Sequence, residues 1–209
     1  MSVLNRIAYF QNRRDEVPNQ ELARELAEKK NKKGIQEIVE NLHHKNQNVQ
    51  SDCLKVLYEI GYLAPELIAD YVDDFLKLLK HKNNRMVWGA MIALATVADL
   101  KPREIWKSAD DVIAVTAHGT LITLVWGIKT LAKVAAANKR YKDKLWPILM
   151  GHLKTCLPRD VPTHAESILC AVDARHKDEF LSVLESRRAE MTPSQLARLR
   201  KITKQLEAR

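Results

Sequence analysis

Glycine and proline are scarce, 6 and 7 in 209 residues, against roughly 7% and 5% in ordinary globular proteins. A chain so poor in turn-formers has few tight hairpins. The patterns GxGxxG, GxxxxGK[ST] and GxSxG are all absent, so no Gly-rich loop is available to cradle a phosphate and no nucleophile elbow is present. An all-β sandwich, a dinucleotide-binding domain and a P-loop enzyme are therefore disfavoured. Cysteine is sparse as well. Cys53, Cys156 and Cys170 are odd in number and form no CxxC pair, so neither a disulfide framework nor a zinc site is expected. Each sits among apolar neighbours, where cysteine behaves as a small hydrophobe. No uninterrupted apolar stretch approaches the roughly 20 residues that span a bilayer. The opening MSVLNRIAYFQNRRDE lacks the apolar centre of a signal peptide. A cytoplasmic location with no membrane partner is the expectation.

Hydrophobic residues make up 46% of the chain, and 34 Lys+Arg stand against 26 Asp+Glu for a net charge of +8. That length and apolar content can bury a sizeable core without metals or disulfides. The positive balance bears on partners and solubility, not on fold; nucleic acid, an anionic surface and an acidic protein are all compatible with it.

Self-similarity carries the architecture. Asn48–Ile60 aligns with Arg85–Val97 and Ile122–Val134 at successive intervals of 37, and more weakly with Val161–Val172. A small or apolar residue recurs at Cys53, Ala90, Gly127 and Ala165. An apolar pair or its equivalent follows at Val56-Leu57, Ala93-Leu94, Thr130-Leu131 and Ile168-Leu169, and Ile60, Val97, Val134 and Val172 complete the stripe. Spacing of three and four marks a buried helical face. A second helical stretch precedes each copy, at 34–43, 71–80, 104–116 and 142–153, and short polar links with Asn and Lys join the two members of a unit. A helix–turn–helix unit of this length lies near the period of helical solenoid repeats.

These residues resemble the HEAT repeat family over roughly 34–180. The resemblance implies an all-α, right-handed α-solenoid of about four helical pairs, a fold closely related to armadillo repeats. In HEAT repeats an Asp in the turn and an Arg after the first apolar residue often form an inter-repeat ladder. The Arg position here is Gln50, Val87, Leu124 and Pro162, so the repeat is degenerate. Residues 1–33 read as N-terminal cap helices, Val3–Arg13 and Asn19–Asn31. Residues 181–209 read as basic C-terminal caps, with one helix over Lys177–Glu190 and a last one over Ser194–Ala208 that Thr192-Pro193 begins. No linker divides the chain, which is expected to form one domain over 1–209.

No catalytic constellation is recognisable. Ser51-Asp52 has no His at helical spacing. His43-His44 cannot chelate as an i, i+4 pair does, because adjacent side chains on a helix point apart. His81, His118, His152, His164 and His176 are scattered. Asp73-Asp74 and Asp110-Asp111 lie near helix N-termini and suit the helix dipole. No catalytic residue, metal ligand or cofactor is assigned.

The outward positions of the second helices are more informative, because these helices line the usual binding face of a repeat array. They read Ser51, Asp52, Lys55; Trp88, Gly89, Ile92; Val125, Trp126, Lys129; and Thr163, His164, Ser167, with Lys133 one turn beyond Lys129. A concave strip of Asp52, Lys55, Trp88, Ile92, Trp126, Lys129 and Lys133 is the candidate site. Aromatics interleaved with lysine suit either a peptide hot spot or stacking and backbone contacts with nucleic acid; either tryptophan can instead fill a gap between repeats. A second basic zone runs along the turns, through His43, His44, Lys45, His81, Lys82 and Arg85, and would gain charge where His protonates. A third is the segment 184–209, with Arg187, Arg188, Arg198, Arg200, Lys201, Lys204 and Arg209.

The leading expectation is a non-enzymatic scaffold that binds a protein or peptide. The alternative is a nucleic-acid binder resembling the HEAT-like DNA glycosylases of alkylation repair, whose active surface combines aromatics, an Asp and basic groups. Trp88, Trp126, Asp52, Lys129 and Lys133 resemble that set in type only, so no catalytic role is carried over. A HEAT-like lyase or hydroxylase would need Cys or a His-Glu metal pattern on the strip, where only His164 falls.

Overall fold

A computed structural model describes residues 2–207, and every regular element among them is helical. The α-helices are α1 (Val17–Glu28), α2 (Lys32–Glu40), α3 (Gln47–Leu63), α4 (Val72–Leu78), α5 (Asn84–Val97), α6 (Pro102–Lys107), α7 (Ala109–His118), α8 (Leu121–Ala137), α9 (Lys139–Thr155), α10 (Val161–Ile168), α11 (Lys177–Ser186) and α12 (Pro193–Glu207). They cluster into two compact units, one ending at Gly127 and one beginning at Ile128. The boundary falls within α8. Among the described residues no helix is long and apolar enough to cross a membrane, and no three His, Cys, Asp or Glu side chains gather as metal ligands.

The repeated caps explain where the helices start. Asn31, Asn46, Asn83 and Asn138 each accept a hydrogen bond from a first-turn N–H: Gly34 at 3.0 Å, Asn48 at 2.9 Å, Arg85 at 2.9 Å and Arg140 at 2.8 Å. Asparagine does this well because its short amide reaches a donor that has no partner in the helix. Two of these caps share a further device one period apart. His44 Nδ1 accepts from the Asn46 N–H and His81 Nδ1 from the Asn83 N–H, both at 3.0 Å.

In the first unit α3 lies between α1 and α5, while α2 packs on α3 and α4 on α5. Val56, Leu57, Ile60, Ala93, Leu94 and Val97 are fully withdrawn from solvent, as the stripe requires. So are Cys53 and Ala90 at the small position. Burial pushes the Cys53 thiol up to about 12, with the Asp52 and Glu37 carboxylates adding to the effect. At Gly127 the approach is closer still. A Cβ there would run into the side chain of Thr116, which is itself buried and bonded to the Val112 carbonyl at 2.6 Å.

The N-terminal segment departs from expectation. Val3–Arg13 is not a helix but a single 3-10 turn over Leu4–Arg6 followed by irregular chain. The Ala8 N–H goes to Asn19 Oδ1 at 2.9 Å and the Tyr9 N–H to Asp52 Oδ2 at 2.8 Å, and Asn12 adopts φ 53. Donors that a helix would use internally are taken by side chains of α1 and α3. The expected helix over 104–116 is also interrupted, at Ser108, between α6 and α7.

In the second unit α10 packs on α9 and α12, and α11 on α9 and α12. Leu145, Leu149, Leu153, Ile168 and Phe180 form its core. The helix expected over Lys177–Glu190 ends instead at Ser186, because Arg187 turns inward. The side chain is 7% exposed. Its guanidinium donates to the carbonyls of Leu153 at 2.9 Å, Lys154 at 2.8 Å and Cys156 at 2.8 Å, and to Glu190 at 2.9 and 3.0 Å. A cation at the end of α9 satisfies carbonyls that the helix leaves without partners and complements its dipole. Ala208 and Arg209, at the end of the expected last helix, lie outside the described residues.

Beside this cap His164 is 0% exposed, with both ring nitrogens unbonded. It meets His152 edge-on at 4.4 Å between ring centroids, and His152 Nε2 is also unbonded. Burial lowers the His164 imidazole to about 4; the neighbouring His152 adds to this and Asp160 opposes it. Burial lowers His152 too.

Two outcomes follow from this packing. Gly127→Ala is expected to destabilise the chain by about 1–3 kcal/mol in denaturant titrations, since a rigid buried neighbour must move. Between about pH 6.5 and 4 the unfolded chain binds a proton at His164 that the folded chain refuses. Stability therefore falls as pH drops through that window, by about 3 kcal/mol from this residue. Melting curves at both ends of the window are expected to show a smaller pH difference for His164→Leu than for the wild type.

Candidate binding surface

The second helices of the first unit bring four aromatic rings together. Tyr58 and Tyr62 project from α3, one helical turn apart, with ring centroids at 6.0 Å. Trp88 on α5 meets Tyr58 at 6.3 Å, and Trp126 on α8 meets Tyr62 at 5.7 Å. Tyr62 is 46% exposed. Both indoles are half-buried, so the tryptophans are neither free on the surface nor lost in the core. A second aromatic pair, Tyr9 and Phe10, is exposed with ring centroids at 5.2 Å.

The charges on this strip are paired. Lys55 Nζ lies 2.7 Å from Glu16 and 2.7 Å from Glu59, and 4.9 Å from the centre of the Tyr58 ring. Burial opposes its charge, but the bonds to Glu16 and Glu59 prevail and hold the ammonium above the ordinary lysine range. Two carboxylates around one ammonium leave no spare positive charge at Lys55. Arg85 Nη2 approaches Glu16 at 3.9 Å. Asp52 is not a free carboxylate. One oxygen accepts from the Tyr9 N–H and the other from Asn19 Nδ2 at 3.0 Å, so its role is to fasten the N-terminal segment.

Other expected positions differ. Ile92 is 5% exposed and belongs to the core, and Ser51, Gly89 and His164 are buried as well. Stacking covers a second helix on both flanks, so the stripe left open is narrower than a simple amphipathic helix would give. Lys129 and Lys133 lie in the second unit, are half-buried and are engaged with partners. Along the turns His43, Lys45 and Lys82 are exposed. His44 and His81 are half-buried and use Nδ1 as an acceptor, which requires that nitrogen unprotonated. These two rings are parts of the helix caps.

Tyr58, Tyr62 and Glu16 were not among the sequence candidates. Their signal is nonetheless present: Lys55, Glu59 and Tyr62 are spaced i, i+4, i+7, with Tyr58 beside them, which places all four on one helix face.

No family model matches the chain, and no curated protein matches it in sequence. Solved structures do match. An engineered protein is similar with a TM-score of 0.66 at 16% identity, covering 100% of this chain and 98% of that one. A designed armadillo repeat protein in complex with the peptide (KR)4 gives 0.67 at 14% identity, over 88% and 85%. Kap121p gives 0.64 at 20% identity, over 81% of this chain and 19% of Kap121p. The fold is an armadillo/HEAT-like helical-repeat solenoid. The solenoid spans about a fifth of the length of Kap121p.

Asp52→Ala is expected to release the segment over residues 2–13. Amide hydrogen exchange would then quicken at Ala8 and Tyr9, with a loss of about 1–3 kcal/mol in global stability.

Proposed function

We propose that this solenoid is a non-enzymatic protein-binding scaffold, and that it takes an extended peptide segment of its partner on the strip of Tyr58, Tyr62, Trp88 and Trp126. The exposed Tyr62 ring in contact with Trp126 carries the reading. Large rigid rings give contact area at little conformational cost and dominate binding hot spots. The surrounding charges support it. With Lys55 clasped by Glu16 and Glu59, the strip lacks the row of free cations that phosphate binding needs. Two structures of similar fold were solved as complexes: the designed armadillo protein with the peptide (KR)4 and Kap121p bound to Ste12p. Cytoplasmic residence accords with the free cysteines.

The test is selection of binders from a random peptide library displayed on phage, using the full chain. Tyr62→Ala is expected to weaken the selected peptides by about tenfold or more while the melting transition stays in place. Binders indifferent to Tyr62→Ala and Trp126→Ala would overturn the strip as the site. So would micromolar binding of a fluorescent DNA duplex at about 50 mM salt that collapses as salt rises.

A further inference from the structure

The second unit carries a cleft that the aromatic strip does not involve. It lies between α11 and α12 and encloses about 600 Å³. Its floor is leucine: Leu181 and Leu184 from α11, Leu196 and Leu199 from α12. Leu184 and Leu199 are buried, whereas Leu181 and Leu196 are only half-covered. The inner sides of the same helices are already occupied in the core by Phe180, Val183, Ile202 and Leu206. Both helices thus keep an apolar margin along the open mouth of the groove between them.

The shape of the cleft selects a kind of occupant. Its lining on α12 runs from Leu196 to Glu207, twelve residues of helix and about 17 Å of rise. That is three turns, the length over which a helix presents apolar side chains at i, i+3 or i+4, and i+7. The walls differ in charge. On α11 Arg188 is paired with Glu185 at 2.9 Å. On α12 Arg200 and Lys204 stand exposed one turn apart, and among the described residues no ion pair engages either. Glu207 closes the far end of that wall.

We propose that the α11–α12 cleft is a docking groove for an amphipathic helix of a partner protein. The helix lays leucine-like side chains on Leu181, Leu184, Leu196 and Leu199. It sets acidic residues, one turn apart, against Arg200 and Lys204. The groove supplies the buried apolar area, and the cationic wall fixes which way round the helix lies. This site is independent of the peptide strip, so each can fail without the other.

A helical peptide library tests it, with leucine fixed at i, i+3 and i+7 and the flanking positions random, selected against the full chain. Glu and Asp are expected to be enriched along one flank. The selected peptides are expected to lose about tenfold or more in affinity to Arg200→Glu/Lys204→Glu, a pair of exposed changes that leaves the fold intact, and also to Leu196→Glu. Tyr62→Ala is expected to leave them unchanged. Selection of uncharged or basic flanks, or binders insensitive to the Arg200/Lys204 pair, would overturn the proposal. Binding of phosphatidylserine vesicles that the same pair abolishes, with no peptide selected, would overturn it in favour of a lipid-facing surface.

Discussion

Side-by-side packing of α1, α3 and α5 is the contact on which the first unit depends. It buries both flanks of α3, and it works only because the residues at the line of closest approach are small. Gly89 lies so near Leu54 of α3 that a Cβ there would crowd it, and Gly127 lets α8 come against Thr116 where even a methyl group would not fit. The aromatic strip is a by-product of this closeness. Helices set this near each other bring Tyr58 to Trp88 and Tyr62 to Trp126, so rings from three separate repeats make one surface. A looser stack would scatter the same residues.

Much of the fold was legible because the 37-residue interval carries several signals at once. The small position, the apolar pair and the capping asparagines at Asn46 and Asn83 all recur together, and each has its own physical reason to do so. What the sequence concealed was long-range hydrogen bonding. Nothing local to Ala8 or Tyr9 says that their N–H groups will go to Asn19 and Asp52, so the N-terminal segment read as a helix. Likewise Arg187 looked like one member of a basic surface run, and its inward turn is decided by carbonyls more than thirty residues away.

The aromatic strip was legible only in outline. Trp88 and Trp126 were located as neighbours of an exposed stripe, and each does lie half-buried at its edge. Of the two carboxylates that hold Lys55, Glu59 lies one helical turn away and is legible in the sequence, whereas Glu16 comes from outside the repeat. His164 was placed outward by the alignment and lies fully inside. Gly89, at the same place in the second copy, is buried as well, against Leu54 and Tyr58 of α3; the flank of a second helix that faces its neighbour carries no mark of its own in the periodicity.

The guanidinium of Arg187 has a consequence for synthesis of the chain. The carbonyls at the end of α9 find their protein donor 34 residues downstream, in the case of Leu153. While the protein leaves the ribosome, α9 emerges with that end held by water alone, and it is completed only when residue 187 has followed. The last stretch of the second unit is therefore secured late in translation, and a chain released before that point would carry a frayed helix next to a half-built core.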